Sequence, residues 1–309
     1  MRGMAVSRSQ KFFNLYARYV QKPSLTLVRP QWLLRGLADW TGWAMARRPK
    51  GMAQRDEVIA DVPCHWLDCG GETARGVLLY LHGGAFVIGK LGTYAHVVSR
   101  MADQAGMAGL FVDYRLAPED PFPAAPEDCF SVYKALLERG VEPGRIAVVG
   151  DSAGGNLALV LLHQARAAGL PMPGAVALMS PSVDCAGSPS MELNRRSEIL
   201  LSPRWGRQAI EAYLDGEDVA NPLVSPIHGQ FERAPPVLFQ VAAGEMLYDD
   251  TYRMAEVLRG QGVQVRVDEW QGVPHVWHLN AGWTPEADKG VADIAAFLRE
   301  VIADCEDQP

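Results

Sequence analysis

The chain has 309 residues, 48% of them apolar, and its 30 glycines and 21 prolines are scattered between apolar runs. That length and composition bury a large core and exclude a disordered or low-complexity protein. The net charge of −7 is uneven, since residues 1–50 hold ten Lys/Arg against one acid, Asp39; the acidic remainder would repel phosphate, which argues against a nucleic-acid role.

In chain order, the first twenty residues lack the apolar run and cleavage site of a secretory signal, so a cytoplasmic protein is expected. Phe12, Leu15, Tyr16 and Tyr19 recur at i, i+3, i+4 and i+7, which predicts a helix with one apolar face over 10–20. A second helix, rich in tryptophan, is expected over 30–46. From residue 55 the pattern becomes β-rich, with strands expected at 58–62, 64–67, 77–81, 109–114, 145–150, 175–180, 237–242 and 263–270. Helices are expected at 94–105, 126–138, 153–168, 250–261 and 288–303. Near-continuous apolar strands alternating with helices mean an α/β fold with a mostly parallel sheet. The first strands lack helices between them, so the sheet should begin antiparallel. Residues 183–235 separate two strands, contain no clear strand, and hold one helical stretch at 202–214. The expected organisation is therefore 1–54 as the first part of a helical cap and 55–182 as the first part of the core. The second part of the cap is 183–225, and 226–309 complete the core.

Three motifs carry chemistry. Gly150-Asp151-Ser152-Ala153-Gly154 fits G-x-S-x-G, directly after a strand and before a helix. A serine on such a turn projects its hydroxyl above the sheet, and the helix N-terminus supplies N–H donors for a developing oxyanion. His82-Gly83-Gly84-Ala85 ends another strand, and its backbone N–H groups, with that of Ala153, are candidates for an oxyanion hole. His82 itself reads as a loop-holding residue. A base for Ser152 must be a histidine at the same sheet edge. His275 and His278 follow the last strand, and His275, nearer the strand end, is preferred. The order serine, acid, histidine is that of α/β-hydrolases. The acid then belongs to the loop GEMLYDD, which holds Glu245, Asp249 and Asp250.

YLHGGAF, DYRLAPEDPFPAAPED and GDSAGGN together resemble the hormone-sensitive-lipase-like family of bacterial esterases and lipases. NPLVSPIHG and APPVLFQVAAGEMLYDD are similar to its acetyl- and lactone-hydrolase subgroup. The resemblance spans roughly residues 55–300. It implies an α/β-hydrolase core, a two-part helical cap, hydrolysis of carboxylic esters and no cofactor. It matches Ser152 to the nucleophile, His275 to the base, and Gly83, Gly84, Ala85 and Ala153 to the oxyanion hole. Two positions depart from the family pattern. Ala85 stands where the family usually has glycine. Aligned on Leu247, Glu245 stands where it usually has the triad aspartate. Asp249 then takes a structural position and is the alternative acid. Asp249 and Asp250 are expected to cap the following helix.

The function expected is hydrolysis of short- to medium-chain acyl esters through a Ser-His-Glu triad. The alternatives are lactone or aryl-amide hydrolysis, or a non-catalytic small-molecule receptor on the same fold. Trp43, Trp205 and Tyr213 are expected to wall the acyl pocket. Five cysteines without regular spacing, and no His/Cys cluster, suggest neither a disulfide framework nor a metal site. The partner expected is a small-molecule ester, with no nucleic acid. Weak lipid-surface contact through the basic N-terminus and a homodimer stay open.

Overall fold

The computed structural model describes residues 6–28, 31–68 and 75–306. Residues 1–5 of the basic segment, Cys69 and the side chain of Cys305 lie outside it. One eight-stranded sheet runs in the order β1-β2-β4-β3-β5-β6-β7-β8. β1 (Ala53–Ile59) and β2 (Val62–Asp68) form a hairpin, and β2 pairs antiparallel with β4 (Ala108–Val112). The remaining neighbours are parallel: β3 (Val77–Leu81), β5 (Ile146–Asp151), β6 (Ala175–Met179), β7 (Val237–Ala242) and β8 (Val265–Trp270). The antiparallel start matches the missing helices there. The expected strand over 58–62 is corrected. Ile59 pairs with Val62, and Ala60 and Asp61 between them have φ of 50° and 64°. Two left-handed residues make a tight hairpin turn whose twist suits the strands.

Ahead of the sheet come α1 (Arg8–Tyr16), a π-helical turn (Ala17–Gln21), α2 (Lys22–Leu27) and α3 (Gln31–Met45). Then follow α4 (Leu91–Ala105), α5 (Ala124–Glu138) and α6 (Ala153–Ala167). The segment between β6 and β7 holds α7 (Ser190–Leu193) and α8 (Pro203–Leu214), and the chain finishes with α9 (Tyr248–Gly260) and α10 (Pro285–Glu306).

Successive side chains of a strand point to opposite faces, so each strand feeds two cores. Leu79, Leu81 and Val148 pack with α5, α6 and α9, while Leu78, Tyr80 and Val149 pack with α4 and α10. That is why β3, β5, β6 and β7 are buried throughout and read as unbroken apolar runs. α3 packs on α4, and α2 on α8, so the N-terminal helices and the insertion meet.

Of the apolar face expected over 10–20, only Tyr16 turns inward. Phe12, Leu15 and Tyr19 are exposed, and it is Phe13, Tyr16 and Val20 that turn toward the interior cavity. Phe13, Tyr16, Ala17 and Val20 repeat the same i, i+3, i+4, i+7 spacing one residue on, and Phe13 and Ala17 are buried, so the helix carries two adjacent apolar stripes of which the second faces inward.

Candidate active site

The site is built at the carboxyl ends of the parallel strands. β5 leads into Ser152, whose φ of 51° and ψ of −116° lie in a region L-residues avoid; such a conformation costs roughly 1–3 kcal/mol and persists only where its surroundings fix it. Here the Ser152 N–H donates to the Met179 carbonyl at 2.9 Å, and its own carbonyl accepts from Asn156 and Ser182. The glycines allow the close approach. A Cβ on Gly154 would run into the Leu81 carbonyl, and one on Gly150 into the Gly154 carbonyl. The result is a serine half-buried at the floor of a cavity of about 440 Å³.

His275, buried, lines the same cavity. Its Nδ1 lies 3.1 Å from Glu245 Oε2, which also accepts from Ser180 Oγ at 2.9 Å. Glu245 is 1% exposed, and burial pushes its carboxyl up despite the His275 and Ser180 hydrogen bonds. Burial also works against a charged His275, but the bond to Glu245 and the charges of Glu245, Glu198 and Asp151 outweigh it and raise the imidazole. Among the described residues no direct Ser152–His275 hydrogen bond is made; such contacts commonly tighten only when substrate arrives.

The loop after β3 closes the other side. Gly84 (φ 111°), Ala85 (φ 53°) and Phe86 (φ 63°) are all in the left-handed half of the map. Gly84 and Ala85 line the cavity beside Ser152, and among the described residues their N–H groups, like that of Ala153, donate to no protein acceptor. Gly83 is corrected. Its N–H donates to Asp151 Oδ1 at 2.9 Å, so it holds the loop and is not available to an oxyanion. Asp151 also accepts from Tyr80 OH at 2.9 Å, and burial pushes its carboxyl up to about 6. His82 is stacked on Tyr114 and Phe111, with Nδ1 2.7 Å from the Gly83 carbonyl, and burial holds it down to about 4. Tyr114 OH donates to the His82 carbonyl at 2.6 Å, so part of the DYRLAPED motif braces this loop.

With a serine elbow, a histidine–carboxylate pair and a free N–H cradle at one sheet edge, the relatives can be compared. The profile of the α/β-hydrolase fold matches residues 78–279. An acetyl-hydrolase of Streptomyces hygroscopicus is 41% identical over 78% of this chain and 81% of its own. The chain belongs to the hormone-sensitive-lipase-like α/β-hydrolases. An esterase of Acinetobacter venetianus is 36% identical over 75% of this chain and 77% of its own. The crystal structure of an esterase from the bacterial hormone-sensitive lipase family superposes with a TM-score of 0.90 at 32% identity, covering 97% of this chain and all of that one.

The other residues singled out from the sequence fall in different places. Asp249 is half-buried in the first turn of α9 and makes no contact with His275. Asp250 is not the expected helix cap. It is buried, and its Oδ2 accepts the N–H of Val183, tying the start of the insertion to α9. The N-cap of α9 is Leu247, without a side-chain bond. His278 is buried against Trp277 with Nε2 2.6 Å from Gln240, and burial lowers it to about 3. Of the expected pocket residues, Trp205 lines the cavity. Trp43 is corrected, being 59% exposed on the outside of α3. Tyr213 is also corrected; it is buried in the core, stacked on Phe86 at 3.8 Å. The walls come instead from Phe13, Tyr16, Leu34, Leu37, Leu200 and Leu201, among others.

Two residues escaped the sequence reading. Ser180, at φ 50° after β6, fixes the Glu245 carboxylate. Glu198 is buried and accepts the N–H groups of Leu200, Leu201 and Met246 at 2.7, 3.0 and 2.8 Å, joining the cavity wall to the acid loop. A buried serine in an apolar strand end and an acid in an irregular segment carry no periodic signal.

Proposed function

We propose that the protein is a serine carboxylic ester hydrolase for short- to medium-chain acyl esters, with Ser152, His275 and Glu245 as its triad. The observation that carries this reading is the pair His275–Glu245, buried and bonded at 3.1 Å, facing the cavity into which Ser152 is held in a strained turn. The names of the similar acetyl-hydrolase and esterases support the ester as the bond attacked. The cavity falls in the ~300–1,000 Å³ range of small-molecule sites, and its apolar walls suit an acyl chain. The helices α1–α3 and the insertion 183–225 act as its cap.

In this reading Ser152 Oγ attacks the ester carbonyl while His275 Nε2 takes its proton. The Oγ–carbon bond forms, and the carbonyl π-electrons move to oxygen, where the N–H groups of Gly84, Ala85 and Ala153 receive the charge. Collapse expels the alcohol, which leaves with the proton from His275. Water, deprotonated by His275, then attacks the acyl-enzyme and releases the acid. Glu245 holds Nδ1–H and stabilises the imidazolium. No step calls on a metal or cofactor.

The test is turnover of p-nitrophenyl esters from acetyl to dodecanoyl by the purified protein and its Ser152→Ala variant. The expected result is a maximum among the short to medium chains, abolished in the variant. Equal or faster turnover of long-chain triglyceride emulsions than of butyrate esters would overturn the chain-length reading. Turnover that survives Ser152→Ala would overturn the triad.

A further inference from the structure

We propose that the outer face of α1–α3 is a docking surface for an anionic lipid bilayer. This goes beyond the hydrolase reading and does not depend on it. Fourteen large apolar side chains are exposed among the described residues, and ten of them lie between residues 12 and 43, of which all but Val20 and Leu37 stand clear of the cavity. The reason lies in the winding of these helices. On α3, Leu34, Ala38, Thr41 and Met45 follow i, i+4, i+7, i+11 and line the cavity. Trp32, Trp40 and Trp43 stand at i, i+8, i+11 on the opposite face, 69%, 65% and 59% exposed. On α1 and its π-helical extension, Phe13 and Tyr16 face inward while Phe12, Leu15 and Tyr19 face out. α1 and α3 thus carry large apolar side chains on both faces, and only the inner face is covered.

Charge selects the occupant. Arg8, Lys11, Arg18, Arg47, Arg48 and Lys50 are all exposed. The excess of ten Lys/Arg over one acid is confined to residues 1–50, against an acidic remainder. An anionic bilayer attracts this face and repels the rest of the molecule, which orients it cap-down. Tryptophan, phenylalanine and tyrosine interleaved with lysine and arginine is the composition of an interfacial surface. A two-fold partner copy would instead set the basic face on itself, like charge against like. No described helix is long and apolar enough to cross a bilayer, so the mode is peripheral. Since the inner faces of the same helices line the cavity, a docked molecule would hold its pocket against the lipid, suited to esters that partition there.

The experiment is flotation of the full-length protein with phosphatidylcholine vesicles containing none or 30% phosphatidylglycerol, at low and at 0.5 M salt, with tryptophan emission followed. We expect binding to the anionic vesicles, a blue shift of emission, and loss of both in high salt. Reversing Lys11, Arg48 and Lys50 to Glu should weaken partition about a hundredfold or more, at roughly fivefold per charge removed and further for the charge added. Trp32→Glu with Trp40→Glu should abolish the blue shift while leaving Tm within a few degrees, because both side chains are exposed. Absence of binding to anionic vesicles, or equal binding to neutral ones, overturns the proposal. So does a dimer in light scattering that the tryptophan pair dissociates while vesicles bind neither form, which would make this face a contact between copies.

Discussion

Glu245→Gln is the perturbation that best separates the three carboxylates of GEMLYDD. The amide oxygen can still accept from both Ser180 Oγ and His275 Nδ1, so the geometry is kept and the charge is lost. Glu245 and His275 meet at 3.1 Å, and the delocalised charges centre at about 4 Å. At an effective dielectric near 20 that separation is worth about 4 kcal/mol to the imidazolium. This corresponds to about three powers of ten in rate, of the order of the ~10⁴ loss for the equivalent aspartate change in a serine protease. The assay is kcat on p-nitrophenyl acetate with folding checked by circular dichroism. Asp249→Asn, outside hydrogen-bond reach of His275, should keep kcat within about threefold. A Glu245→Gln enzyme within tenfold of the parent, beside a folded Asp249→Asn enzyme that has lost activity, would refute the reasoning and move the acid.

Three further outcomes follow from the site. Because Glu245 and the neighbouring negative charges raise His275 above its ordinary 6.5, kcat/KM should fall as pH drops through a value above 6.5, and Glu245→Gln should move that limb down; a pH profile of both enzymes decides it. Ala85→Gly should leave Tm unchanged or raised, since Ala85 sits at φ 53°, a conformation costing an L-residue about 1 kcal/mol that glycine avoids. Removing a methyl from the cavity should also favour branched acyl groups, and a Tm drop beyond about 5 °C would contradict this. Asp250 is pushed from 3.8 up to about 6 by burial, against the Val183 and Ser188 bonds and Arg253. The native state therefore holds this proton more tightly, and stability falls as pH rises from about 4 to 6. Asp250→Asn can still accept from Val183, so its Tm relative to the parent should climb between pH 4.5 and 7.5, and a constant difference would oppose the assignment.

The sheet was legible because burial on both faces leaves unbroken apolar runs, and Ser152 because its motif stands between such a run and a helix. The place of His275 at the cavity, bonded to Glu245, followed from chain order and strand ends. What stayed hidden depends on side chains meeting across long sequence separations. Nothing local says that the Gly83 N–H is taken by Asp151, 68 positions away, or that Tyr213 stacks on Phe86 instead of walling the pocket. Asp250 stands where a helix-capping acid is expected, yet its partner is a loop amide 67 positions back. The N-terminal helices misled for a different reason. Both faces of α3 are apolar, and α1 carries two adjacent apolar stripes, Phe12-Leu15-Tyr19 and Phe13-Ala17-Val20, so periodicity could not tell inside from outside.

The loop of Glu245 is tied to the insertion by five hydrogen bonds. Asn194 donates to the Glu245 carbonyl, Ser197 to that of Gly244 and Ser190 to that of Met246, while Met246 N–H donates to Glu198 and Asp249 N–H to Ser190. At about 1 kcal/mol for each neutral bond and more for those to a charge, these five contacts are comparable with the stability of a small structural unit. Segment 190–198 therefore cannot swing away without releasing the carboxylate that orients His275. Glu198 makes the coupling explicit, since one of its oxygens holds the Leu200–Leu201 wall of the cavity and the other holds the loop of Glu245. The cavity wall and the setting of His275 thus share a buried side chain. A change in this segment made to alter the acyl pocket should register in the pH profile of catalysis as well as in chain-length preference.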